Sequence, residues 1–120
     1  MKKYNSTMNY EIRLQEFMAD AKERKDRECF RKIMKSPEGR WFFMRVLEIT
    51  GYHGRSFTGN SETYFREGMR EVGIQLDRRL VDLLGLEGFE LKQKAEKENI
   101  DFQFKQKRYF DKEENNGPEQ

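Results

Sequence analysis

Residues 60–85 read NSETYFREGMREVGIQLDRRLVDLLG, and the periodicity of this stretch decides the fold. Phe65, Met69, Val72, Leu76, Leu80 and Leu83 recur at steps of four, three, four, four and three, the spacing of one helix face. Asn60 and Ser61 are both capping residue types ahead of Glu62, and Gly85 supplies a stop after Leu84. A helix over 61–84 would be roughly 35 Å long at about 1.5 Å per residue. Glu62, four residues before Arg66, adds a surface pair. Gly68 and Gly73 each cost about 1 kcal/mol relative to Ala. Gly73 lies on the apolar stripe beside Val72 and Leu76, which predicts a close approach by another helix.

Upstream, Ser36-Pro37-Glu38 places a capping hydroxyl, a proline at the first helical position and an acid near the positive end of the dipole. Gly51 follows Ile49 at the distance of a left-handed stop, so a second helix spans about 37–50. In it Phe42, Phe43, Val46, Leu47 and Ile49 read as one broad apolar face, with Trp41 across from it between Arg45 and Glu48. Phe30, Ile33 and Met34 predict a short helix just before Ser36. Further out, Tyr10, Leu14, Phe17 and Met18 have helical spacing and suit an amphipathic helix over 9–27. Downstream, 86–99 reads as a charged helix, and Ile100, Phe102 and Phe104 alternate with Asp101 and Gln103 as an extended segment would. The acidic Asp111–Gln120 tail has the composition of disorder. The expected architecture is all-α: a small helical bundle with two principal helices (about 37–50 and 61–84), a short helix before them, and partly extended or disordered arms. Its parts are a charged arm over 1–27, a helical core over 28–85 and a charged, aromatic and acidic tail over 86–120.

Composition sets the outer limits. Of 120 residues, 38% are charged and only 35% hydrophobic, too polar for the whole chain to pack into one globule. Charge is uneven: residues 1–35 carry a net +4, 36–85 zero and 86–120 a net −2. The neutral middle holds Trp41 and most large apolar residues, so the core belongs there. A unit of about 58 residues buries only about 60% of its unfolded surface. That favours docking of the arms, a homo-oligomer, or a place in a larger assembly. One Cys excludes a disulfide framework within the chain, and no apolar run approaches the 18 residues of a membrane span. No secretory start is visible, which makes the Asn5-Ser6-Thr7 glycosylation pattern irrelevant.

Chemistry-bearing residues are few. His53 and Cys29 have no third group at a spacing that would orient a nucleophile–base pair, and one His lacks any metal-ligand spacing. No enzyme activity, cofactor or metal is expected. Gly54-Arg55-Ser56-Phe57-Thr58-Gly59 has the two glycines of a phosphate loop, but Asn60-Ser61 stands where Lys-Ser/Thr is required. Gly51-Tyr52-His53-Gly54 matches a backbone-clamping RNA loop, whose sheet is not predicted here. Arg66, Arg70, Arg78 and Arg79 interleave with acids that cancel their attraction for phosphates. The more basic run Lys22, Arg24, Lys25, Arg27 and Arg31 keeps nucleic-acid contact as a weak alternative. Protein contact has better support. Trp41 among charges is either covered by the Phe30–Met34 helix or an interface anchor. Phe102, Phe104, Tyr109 and Phe110, mixed with Lys105, Lys107 and Arg108, suit either a peptide that orders on a partner or one that folds back.

Ser36-Pro37-Glu38-Gly39-Arg40, the loop Gly54-Arg55-Ser56-Phe57-Thr58-Gly59-Asn60-Ser61-Glu62-Thr63 and the following Phe65-Arg66-Glu67-Gly68 resemble a family of small tailed-bacteriophage proteins. The resemblance covers about 28–85 and neither arm. That family's genes sit among portal, scaffold and capsid genes, and it has no assigned biochemical activity, so no catalytic residue is carried over. The resemblance implies a non-enzymatic minor virion component at the head, portal or neck, made in the host cytoplasm and bound to other virion proteins, with no membrane. Two other readings stand beside it: a nucleic-acid-associated protein packaged or ejected with the genome, and an early protein that binds a host factor. In the structural reading Phe57, Thr58, Gly59, Asn60 and Ser61 form a structural loop. Thr58, Asn60 and Ser61 would satisfy turn and helix-start amides and Phe57 would plug between helices, so Phe57→Ala is expected to lower the melting temperature.

Overall fold

The computed structural model describes residues 9–52, 54 and 62–116. Among these residues four helices follow in order: α1 Tyr10–Lys35, α2 Pro37–Ile49, α3 Glu62–Leu84 and α4 Leu86–Asn115. No strand occurs among the described residues, and the fold is all-α.

Local chemistry sets each boundary. The Asn9 side chain accepts the Ile12 amide at 2.9 Å and starts α1. Ser36 alone separates α1 from α2 and serves both. Its amide and hydroxyl donate to the Ile33 carbonyl at 3.2 and 3.0 Å, and its Oγ accepts the Gly39 amide at 2.9 Å. Pro37 then takes the first helical position, as the sequence predicts. The turn is tight enough that a Cβ on Gly39 would overlap the Ile33 carbonyl. Gly51 ends α2 at φ +72°, and Gly85 (φ +61°, ψ −134°) is the whole connection between α3 and α4. The Asn60 and Ser61 capping positions lie outside the described residues; the Glu62–Arg66 pair is present at 3.5 Å.

α2 and α3 each pack against both α1 and α4, and hardly against each other. Met34 of α1, Phe43, Met44 and Leu47 of α2, Leu80, Leu83 and Leu84 of α3, and Ala95 of α4 form the core, with Phe30, Tyr52, Leu76 and Leu91 against it. Burying each large apolar side chain contributes about 1.5–3 kcal/mol. Gly88 lets α4 approach α3: a Cβ there would stand 2.6 Å from the Leu80 carbonyl. Gly73 allows a close approach too, although what meets it is Thr50 and Tyr52, just past the end of α2.

Several expectations are corrected. The amphipathic helix of the first arm and the short Phe30–Met34 helix are one continuous α1, so the boundary after residue 27 falls inside a helix. Residues 86–99 are part of the core packing, through Gly88, Leu91 and Ala95. Ile100–Phe104 is helical, not extended, and the helix runs on through Asp111–Asn115. An alternation of five residues is too short to fix a period. In a helix the same spacing puts Ile100 and Phe104 on one side and Phe102 on the other. Within α2, Phe42 and Ile49 are exposed while Met44 is buried, because the core side is set by 40, 43, 44 and 47. Phe65 and Val72 of the α3 stripe are likewise exposed, beyond the reach of α1 and α4.

Candidate partner-binding surface

The polar side chains between the helices come first, since they position everything outside. Arg40 is 4% exposed, on the buried face of α2 with Phe43 and Leu47. Its Nε and Nη2 donate to the two Glu98 carboxylate oxygens at 2.6 and 3.1 Å, and its Nη1 donates to the Met34 carbonyl at 3.0 Å. One guanidinium therefore ties α2 to α4 and closes the end of α1. The hydrogen bond with Arg40 holds the Glu98 carboxyl below its ordinary value despite some desolvation, and the same bond raises Arg40. A second cluster joins the end of α2 to α3 and α4. Lys92 Nζ lies 2.8 and 2.9 Å from the Asp77 carboxylate oxygens, and the Tyr52 hydroxyl donates to Asp77 at 2.9 Å. Burial pushes the Lys92 ammonium down, but hydrogen bonds with Asp77 and Tyr52 outweigh it and leave its pKa raised. Arg31–Glu87 at 2.7 Å and Arg79–Asp26 at 3.1 Å tie α1 to α4 and α3.

Trp41 faces α4, not α1. The Phe102 ring meets it edge-on, with centroids 4.8 Å apart, and the Arg45 guanidinium sits 4.4 Å over its face. Arg45 also pairs with Glu48 at 2.9 Å and donates to Asn99. Trp41 remains 39% exposed, at the edge of a groove of about 350 Å³ lined by Pro37, Ala95, Glu98, Phe102 and Lys105. Beyond Phe102, α4 leaves the bundle, and Phe104, Tyr109 and Phe110 are exposed along it. The structure thus joins Trp41 and Phe102 in one place and sets Phe104, Tyr109 and Phe110 on a projecting helix.

The basic run divides. Arg27 donates to the Leu83 carbonyl at the end of α3 at 3.1 Å, and Arg31 is held by Glu87, so both are committed within the chain. Lys22, Arg24 and Lys25 are exposed on α1. His53 and the loop residues Phe57, Thr58, Gly59, Asn60 and Ser61 lie outside the described residues. Among the described residues, no group of three His, Cys, Asp or Glu side chains is placed to hold a metal ion, and no helix is long and apolar enough to cross a membrane.

Sequence reading missed Arg40 and Glu98. The signal was present for Arg40: positions 40, 43, 44 and 47 share a helix face, so an arginine there is directed inward. Nothing local marks Glu98, which is one of several acids on α4 and is selected only by what α2 brings to it.

The chain is therefore an all-α protein in which charged side chains join helices and Trp41, Phe102, Phe104, Tyr109 and Phe110 remain exposed. Over residues 30–85 it matches the family model described as Bbp19-like phage protein, a stretch just under half of the chain. The similarity to a bacteriophage protein family read from the loop and its flanking helices is thus shown for the central helices. No curated protein and no solved structure matches the chain.

Proposed function

We propose that this phage protein is a non-enzymatic structural component of the virion, acting through protein–protein contacts at the head, portal or neck. It is made in the host cytoplasm and taken into the particle on assembly. The observation that supports this most is the projecting half of α4. Residues 101–116 are all exposed and carry Phe102, Phe104, Tyr109 and Phe110. An exposed helical extension that carries this many aromatic side chains suits docking on a partner's surface. The polar chemistry points the same way. Arg40, Glu98, Asp77 and Lys92 are engaged in holding helices together.

Quantitative mass spectrometry of gradient-purified particles, against infected-cell lysate, tests the proposal. Enrichment in particles at a constant copy number, about a dozen or another ring-compatible value, is the expected result. Absence from particles refutes a virion role and turns attention to a host target. A salt-sensitive mobility shift of DNA at about 50 mM salt would favour genome association through Lys22, Arg24 and Lys25 instead.

A further inference from the structure

α4 is apolar on two opposite sides. The inner stripe, Gly88, Leu91 and Ala95, is covered by the bundle. The outer stripe consists of Leu86, Phe89, Ile100 and Phe104, which are 71%, 46%, 50% and 59% exposed. These positions share one helix face, with Gln93 and Lys97 filling the turns between them. A solvent-facing stripe of this length on a helix whose other side is already buried calls for a second partner.

The charges on α4 sort in the same way. Glu87, Lys92, Glu98 and Lys107 are paired within the chain. Lys97 within the outer stripe, and Glu90, Asp101 and Arg108 along one edge of it, are exposed and form no ion pair among the described residues; Lys94 and Lys105 are exposed too, farther round the helix from the stripe. In chain order Glu90, Lys97, Asp101 and Arg108 run minus, plus, minus, plus, and both opposite-sign pairs, 90 with 108 and 97 with 101, are centred on residue 99. That pattern suits a two-fold axis. A second α4 laid antiparallel across residue 99 brings Glu90 to the second copy's Arg108 and Lys97 to its Asp101, and the symmetry repeats both pairs. Phe104 then lies over Gln93 and the Lys94 stem of the other copy, and Ile100 lies beside the Lys97 stem.

We propose that the outer face of α4 is a homodimer interface, in which two copies pair antiparallel about residue 99. The Ile100 and Phe104 side of each projecting half then lies against the bundled half of the other. Phe102, Tyr109 and Phe110, on the other side of α4, stay open to the partners proposed above.

Sedimentation equilibrium of the full chain at tens of micromolar and low salt is the test. The expected species is twice the 14.6 kDa chain. Glu90→Arg and Arg108→Glu each place like charges opposite one another twice per dimer, and each is expected to weaken association about tenfold or more. Positions 90 and 108 are roughly 27 Å apart along one helix at about 1.5 Å per residue, too far to meet within a chain. An equimolar mixture of the two variants restores opposite charges at every pair and should dimerise again, as should the double variant. A wild-type monomer, a trimer or larger ring, or a mixture that stays monomeric would each overturn the proposal. Both positions are exposed, so unchanged helical circular dichroism of the variants is the accompanying check on folding.

Discussion

Arg40 carries a permanent charge into the core because Glu98 and the Met34 carbonyl meet it there. Replacing Glu98 by Gln leaves a buried guanidinium without its carboxylate, and the expected cost is about 2–4 kcal/mol in urea unfolding. Replacing Lys107, whose pair with Asp111 is exposed, should cost no more than about 0.5 kcal/mol. The pH response follows from the lowered Glu98 pKa. A carboxylate whose folded pKa is depressed contributes stability above its unfolded value of about 4.3 and loses it as pH falls through the folded value. Melting temperature should therefore fall below about pH 4, and part of that fall should be missing in Glu98→Gln. Gly39 is the other sensitive residue. Gly39→Ala drives a methyl into the Ile33 carbonyl at the α1–α2 turn, with an expected loss of about 2 kcal/mol or more by the same measurement.

At the scale of elements, two of the three joints are as short as a chain allows. One serine turns α1 into α2, and one glycine turns α3 into α4. Gly85 has a backbone conformation that side-chain-bearing residues adopt only under strain, so Gly85→Ala should cost about 1–3 kcal/mol. Helix α4 is divided in its role along its length: the first half packs in the bundle and the second projects. Phe102 marks the division, and Trp41 is the chain's single tryptophan, which makes their contact directly readable. Phe102→Ala should shift Trp41 emission to the red with little change in melting temperature, because Phe102 itself is exposed. An unshifted spectrum would mean that the two rings do not pack.

The whole molecule is elongated, with extents of 82 × 39 × 20 Å, and its core is small. The neutral middle of the sequence supplies six of the eight buried hydrophobics, all but Met34 and Ala95. The helix starts and stops at Ser36, Pro37, Gly51 and Gly85 were legible too, since capping and left-handed turns depend only on neighbours in the chain. The resemblance that the family match bears out was equally legible, because it rests on the same local motifs. The candidate surface was legible only in part. Trp41 and Phe102 could be singled out as aromatic residues in charged settings, but their pairing across 61 positions of sequence could not.

The sequence by itself determined that this is an all-α chain, where its central helices begin and end, and which phage family its middle resembles. Each of those properties is written in residues within about one helical turn of one another. Only the tertiary structure decided that Arg40 lies inside and Phe42 outside, that Ile100–Phe104 is helical, and that Glu98, among the acids of α4, holds the buried arginine. Those outcomes depend on which surfaces distant helices bring together, and burial makes one partner in many matter where local spacing treats them alike.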